Sequence, residues 1–445
     1  MTPPDLRNAE IDPAPFSDIK NAFSRFTLSQ AISAQGFYHL SDRLSTEEGF
    51  FFFGNLSLPE GVCWLTCYPR QTVNASTLRE PSTNFGNDIL VGLLDYGTER
   101  NSRPANRYTW FACLDKEQNT ATLYFNSDCP QPTVEALASY CSRGEHSESS
   151  DAKRRHNRHF SLETPFTHST GKQEYLDDIA RIHNHLLSGT CYQINYAQRF
   201  AASCSGSPWV AFKALCRHTD APYCIFSNSG ARQVLCFSPE MFIEFDRRKV
   251  KTRPIKGTRP RGRTKAEDLA LMEDLLTSEK DRAENLMIVD LLRNDLGRFC
   301  ETGSVRADAL FQLETYSNVH HLVSTVTGTL KKGVSQFSAF ESAFPGGSIT
   351  GAPKIKAMEI INELEKHQRG PYCGSFFYAL PDGTFFSNIA IRTFYCEAGS
   401  IYGFGGGGIV ADSDALSEYQ ESLDKIQVFL TTLEREFLSG IDPLR

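Results

Sequence analysis

The chain has 445 residues, enough for two or three average domains or one large one, and its 40% hydrophobic and 22% charged content is that of a globular protein able to bury a large core. A formal net charge of −7 gives no global attraction to nucleic acid, and the basic clusters at 253–265 and 153–158 are local. No apolar run reaches the length of a membrane helix and the polar N-terminus does not read as a signal peptide, so a cytoplasmic protein without membrane or nucleic-acid partners is expected.

Residues 1–140 form a mixed region with short strand-like runs at 49–54, 62–68 and 121–125. The polar segment 142–159 lacks apolar periodicity and reads as an exposed linker, dividing an N-terminal region (1–160) from the rest (161–445). Beyond it, long helices alternate with strands. Tyr175, Ile179, Ile182 and Leu186 recur at spacings of three and four and predict a helix over 173–188. Strands are expected at 234–237, 241–245 and 251–255, the last broken by Gly257 and Pro260.

A helix is predicted over 267–296, with Ser278 a candidate break and Gly297 a candidate C-cap. Its run 286–292 is apolar almost all round, which predicts burial. Another helix follows Pro353 over 355–364. Residues 374–380 and 385–394 read as a hairpin around Pro381-Asp382-Gly383, and a last helix spans 414–437. Thirteen scattered cysteines, odd in number and without a CxxC pair, predict reduced and mostly buried thiols rather than disulfides or zinc.

Several residues are candidates for chemistry. Lys256, at a strand end before a Gly-Thr turn, would become a nucleophilic amine if burial or a neighbouring cation depressed its pKa; a loop lysine is the plain alternative. Asp281 and Glu284, and likewise Glu418 and Glu421, are three apart, so each pair shares a helix face. Brought together, the pairs could hold Mg²⁺ through oxygen ligands; taken singly, each reads as a solvated helix face, and Lys425, four residues after Glu421, would pair with it there.

Glu240 lies in a tight Ser-Pro-Glu turn, where burial would suit it to general acid work. Arg392, in an otherwise apolar strand, needs an anionic partner, whether a substrate or a structural carboxylate. Tyr372 could add a hydroxyl, and His321 is either a titrating group or a core histidine. The run GGSITGAPK precedes a helix, where its amides and the Thr350 hydroxyl could bind an anion, although it is not a Walker A loop. The glycine run 403–408 is either a close approach of backbone to ligand or a flexible turn.

In order along the chain, GTCYQIN (189–195), SPE (238–240), PIKGTRPRG (254–262), RAENLMIVDLLRND (282–295), GGSITGAPK (346–354), IAIRT (389–393) and GGGIVADSD (406–414) ahead of EYQES resemble the chorismate-utilising enzymes. These are anthranilate synthase component I, aminodeoxychorismate synthase component I, isochorismate synthase and salicylate synthase. The resemblance covers about residues 165–445; residues 1–140 match loosely and carry no recognisable tryptophan-binding pattern. It implies an α+β fold in which two antiparallel sheets pack as a sandwich flanked by helices, with the site in a cleft.

Within the family, PIKGT with CYQIN is most similar to the aminodeoxychorismate branch. Gln193 stands where the water-using members have a lysine, and an amide cannot act as a base. The resemblance therefore implies chorismate as substrate and ammonia as nucleophile, in a transaminase-class amination, with anthranilate formation as the alternative. Lys256 would add to the ring and Glu240 would protonate the leaving hydroxyl. Thr258 and His321 would shape and polarise the pocket. Mg²⁺ on Glu284 and Glu421, supported by Asp281 and Glu418, would hold the ring carboxylate with Thr350 assisting. Arg392, Tyr372 and the Gly408 backbone would hold the enolpyruvyl carboxylate. No glutaminase elbow is present, which implies a separate glutaminase subunit in a heterodimer, or free ammonium, as the ammonia source.

Overall fold

The structure, a computed structural model, describes residues 26, 28–80, 86–97, 105–142, 159–316 and 319–438. The polar N-terminus and nearly all of the linker expected at 142–159 lie outside the described residues. Among the described residues the strands form two antiparallel sheets, of thirteen and ten strands, packed face to face and flanked by helices, as the α+β expectation required.

The run Phe50–Phe53 shows how the sequence builds this arrangement. Alternate side chains of a strand point to opposite faces. Phe51 and Phe53 enter the core between the sheets, against Trp64 and Phe376, while Phe50 and Phe52 enter a second core against Trp209 and the helices. A strand buried on both faces is apolar at every position, which is why four consecutive phenylalanines are tolerated.

The N-terminal strands extend both sheets. Phe50–Phe53 pairs with Tyr223–Asn228, and Ile89–Tyr96 pairs with Gly370–Ala379. All thirteen cysteines are free, and all but Cys129 and Cys141 are buried. Among the described residues no helix is long and apolar enough to cross a membrane.

The helix Lys172–Leu187 buries Tyr175, Ile179, Ile182 and Leu186 as predicted. The break at Ser278 is real: Lys265–Thr277 ends there, and the Ser278 side chain caps Glu279–Phe299 by accepting from the Asp281 amide. Gly297 is not the C-cap, because the helix continues to Phe299 and Cys300. The run 286–292 is amphipathic rather than fully buried: Ile288, Val289 and Leu292 face the core, whereas Leu286 is 45% exposed and Asp290 is exposed. The helices Lys354–Leu364 and Ala415–Phe437 lie where expected, the second capped by Asp414.

The predicted hairpin forms between Gly370–Ala379 and Thr384–Asn388, but it stops at Asn388. The chain then crosses to the other sheet, where Thr393–Glu397 pairs with Arg232–Ser238. Arg392 therefore sits in the crossover rather than in a strand, with φ at +51°. Such a conformation is costly for a side-chain-bearing residue and clusters at functional sites. The glycine run is no flexible turn either; it belongs to the strand Ser400–Ile409, paired along its length with Gln193–Gly206.

Candidate active site

A cavity of about 600 Å³ opens between strands of the two sheets and the first turns of Glu279–Phe299 and Ala415–Phe437. That is within the range of small-molecule sites. Eleven of the thirteen residues singled out in the sequence line it: Lys256, Glu240, Thr258, His321, Arg392, Tyr372, Gly408, Asp281, Glu284, Glu418 and Glu421.

Lys256 is placed by a β-bulge. In Ile255–Pro260, Ile255 pairs with Val323 and Thr258 with His321, so three steps on one strand oppose two on the other. Gly257 takes up the irregularity at φ +85°, and a Cβ there would press on Leu275 and Asp281. The bulge turns the half-buried Lys256 into the cavity. Its pKa is lowered by desolvation, partly opposed by Glu284 and Glu240, while Lys425 lowers it further.

Glu240 is buried, and its carboxyl is pushed up to about 7 by desolvation, against the pull of a Ser348 hydrogen bond and of Lys256. Ser348 Oγ donates to Glu240 Oε1 at 2.9 Å. Thr258 Oγ1 lies 2.9 Å from His321 Nδ1. Desolvation, with Arg392 and His320 beside it, pulls His321 down to about 4, so its imidazole is neutral at pH 7. Among the described residues no carboxylate pairs with Arg392, and desolvation lowers its pKa as well. An uncompensated guanidinium at a cavity wall is a receptor for an anion. Tyr372 is buried and stacks on Phe404, with ring centroids 4.9 Å apart and planes at 6°.

The acidic pairs do come together, one from each helix's first turns. Burial raises Glu284, with Asp281 and Glu418 adding to the effect. Burial also raises Glu418, to which Ser413 Oγ donates at 2.6 Å. Glu421 is lowered in spite of its burial by Lys425, whose Nζ is 2.6 Å away. Asp281 is engaged by Arg259 at 3.0 Å.

Among the described residues no cluster of three or more His, Cys, Asp or Glu is drawn tight enough to hold a metal ion. The donor set nevertheless fits a hard cation. A Cβ added to Gly407 would lie 3.4 Å from Glu418 Oε2, 3.5 Å from Glu421 Oε1 and 3.4 Å from Lys425 Nζ, so these groups converge over that glycine. A lysine thus supplies positive charge where these carboxylates meet, and all the donors are oxygens.

Two predicted residues stand outside the lining. Thr350 is buried and its hydroxyl donates to the Gly346 carbonyl at 2.9 Å, inside its own loop. Ser348 and Ile349 face the cavity instead. Gln193 lies behind Gly408, 1% exposed, with neither amide atom bonded. Sequence reasoning missed Ser348, Lys280, Asn195 and Phe404 in the wall and placed Lys425 only in a surface ion pair. The one available signal for Ser348 was its place inside GGSITGAPK.

The family model described as chorismate binding enzyme matches residues 59–431, starting well ahead of the motif-bearing region. The chain is 47% identical over 275 residues to aminodeoxychorismate synthase component 1 of Klebsiella aerogenes, covering 62% of this chain and 61% of that protein. It is 41% identical over 328 residues to the protein of the same name from Escherichia coli K12, covering 74% and 70%. The chain therefore spans less than two thirds of the Klebsiella relative. Among solved structures it resembles anthranilate synthase component I from Streptococcus pneumoniae (TM-score 0.68, 24% identity, 90% and 92% covered). It also resembles the menaquinone-specific isochorismate synthase MenF from Escherichia coli (TM-score 0.72, 17% identity, 91% and 94% covered). These structural likenesses establish the fold.

Proposed function

Because the chain belongs to the family of chorismate binding enzymes, we propose that it converts chorismate and ammonia to 4-amino-4-deoxychorismate, a transaminase-class amination leading to p-aminobenzoate. The observation that carries this reading is Lys256: a desolvated amine turned by a bulge into a cavity that also holds a carboxyl with its pKa near 7. A depressed amine pKa favours the neutral nucleophile, and a raised carboxyl pKa keeps a proton available to a leaving group. The relatives named aminodeoxychorismate synthase component 1 support the same choice.

In this reading Arg392 binds the enolpyruvyl carboxylate, with Tyr372 and the Gly408 backbone alongside. Lys256 bonds to C2 of the ring, the double bonds shift, and the C4 hydroxyl leaves as water with the proton from Glu240. Ammonia then bonds to C4, the double bonds shift back, and Lys256 departs from C2. Thr258 holds the neutral His321 ring against this face, and Gln193, which has no basic nitrogen, leaves water unactivated. Glu284, Glu418 and Glu421 would hold Mg²⁺, with Asp281, fixed by Arg259, supporting them. The ion would neutralise and orient the ring carboxylate. The name aminodeoxychorismate synthase component 1, borne by both relatives, supports a second component, a glutaminase, as ammonia source.

The test is substrate consumption by the purified chain. Loss of chorismate that requires both ammonium and Mg²⁺ is expected. Isochorismate formed without ammonium, or no consumption at all, overturns the reading.

A further inference from the structure

Arg369 lies outside the cavity lining, yet it is one of the largest fully buried side chains in the protein. The side chain of its partner Glu365 is buried with it; the two side chains are 1% and 6% exposed. Arg369 Nε donates to Glu365 Oε2 at 2.9 Å, and Nη2 donates to Glu365 Oε1 at 2.6 Å. The remaining donors leave the pair. Nη1 reaches the Ile349 carbonyl at 2.8 Å and Nη2 the Asn195 carbonyl at 2.7 Å. The guanidinium also lies over the Tyr96 ring at 4.6 Å and 6.0 Å from the centroid of Tyr372. Glu365 Oε1 meanwhile accepts from the Ala197 amide at 2.9 Å.

Three separate walls of the cavity thus meet at one side chain. Ile349 belongs to the loop whose Ser348 bonds Glu240; Asn195 lies in the strand beside Gly408; Tyr372 stacks on Phe404. Stability alone does not call for a buried ion pair here, since well-packed apolar residues of similar volume often serve as well or better. An arginine is distinguished by its rigid fork, which can fix several acceptors at once. Building on the proposed amination site, we propose that Arg369, paired with Glu365, is a positioning residue that fixes the Ser348 loop against Asn195 and Tyr372, and so holds Ser348 on Glu240.

The charged group facing Glu240 is Lys256, with His321 and Arg392 on the same cavity and Ser348 as the neutral donor. Replacing Arg369 with Met and Glu365 with Gln together removes one positive and one negative charge. The net charge is unchanged, and Gln can still accept from Ala197. Any change at Glu240 then reports geometry rather than a lost charge.

The experiment is an infrared pH titration of the Glu240 carboxyl in ¹³C-glutamate-labelled protein without substrate, assigned by difference from Glu240→Gln. Three variants are compared with wild type: the Arg369→Met/Glu365→Gln pair, Ser348→Ala, and the triple variant. Expected is an upward move of the Glu240 midpoint in the pair variant, by about threefold in proton affinity or more. Ser348→Ala should give a similar move, and the triple variant no larger one. A wild-type midpoint in the folded pair variant overturns the inference. So does an unmoved midpoint in Ser348→Ala, or additive movement in the triple variant. If the pair variant does not fold, Arg369→Lys, which keeps the charge but not the fork, carries the same readout. The titration needs no turnover, so its failure is separate from failure of the chorismate reading, which wild-type assays decide.

Discussion

Gln193 stands directly behind Gly408: a Cβ on that glycine would lie 2.6 Å from Gln193 Nε2. The glutamine is fully buried, so although its side-chain amide has no hydrogen-bond partner among the described residues, its terminus can give way only by shifting the packing around it. Overpacking of this kind costs about 1–3 kcal/mol. Gly408→Ala should therefore lower kcat/KM for chorismate by about tenfold or more, by moving the strand that closes the substrate wall. Steady-state kinetics alongside a thermal melt check this; unchanged kinetics would mean that the wall is slack.

Lys256→Met should abolish turnover or slow it by at least about a hundredfold. Wild-type kcat/KM should rise with pH as Lys256 loses its proton, and that limb should vanish in any residual activity. Intact-protein mass spectrometry of quenched wild-type reactions should reveal a ring adduct missing from the variant. Near-wild-type turnover with no adduct would remove Lys256 from the nucleophile role.

Glu240 supplies a second pH dependence. Its carboxyl is raised to about 7 by desolvation, so the proton needed for acid catalysis is present below that pH and lost above it. The falling limb of kcat/KM should lie near 7, and Glu240→Gln should remove it while lowering kcat by about 10²–10⁴-fold. Stability follows the same sign. A folded-state pKa above the unfolded one destabilises the protein as pH climbs from the ordinary carboxyl range through 7, so Glu240→Gln should be the more stable protein at pH 8. The upper bound is about 3 kcal/mol. Denaturant melts at pH 5 and pH 8 compare the two; a gap that does not widen at pH 8 contradicts the assignment.

Lys425 and a divalent cation would compete for Glu421, since Nζ already lies 2.6 Å from its carboxylate. Calorimetric titration should find Mg²⁺ binding weakened about tenfold or more in Glu421→Gln and tightened severalfold in Lys425→Met. Opposite or absent changes would exclude Glu421 as a ligand.

How much of this was legible in the sequence depended on range. Local patterns carried the helix at 172–187, the break at Ser278 and the terminal helix, because periodicity and helix breaking act within a few residues. The two acidic pairs were visible singly, but their meeting depends on two helices whose first residues, 279 and 415, are 136 positions apart and which pack on different sheets. Arg392 was placed in a strand because its neighbours are apolar; the crossover between sheets that gives it φ +51° has no local signature. Thr350 looked like an anion donor, whereas the loop closes on its hydroxyl and turns Ser348 outward. Arg369 was invisible for the same reason, since its role exists only where three distant segments converge.

Amination at C4 is the central claim, and the position of the nitrogen in the product tests it most directly. Purified protein incubated with chorismate, Mg²⁺ and ¹⁵N-ammonium, with the product read by NMR and mass spectrometry, should yield a ring labelled at C4 with its enolpyruvyl ether intact. A C2-labelled anthranilate with released pyruvate would contradict the account.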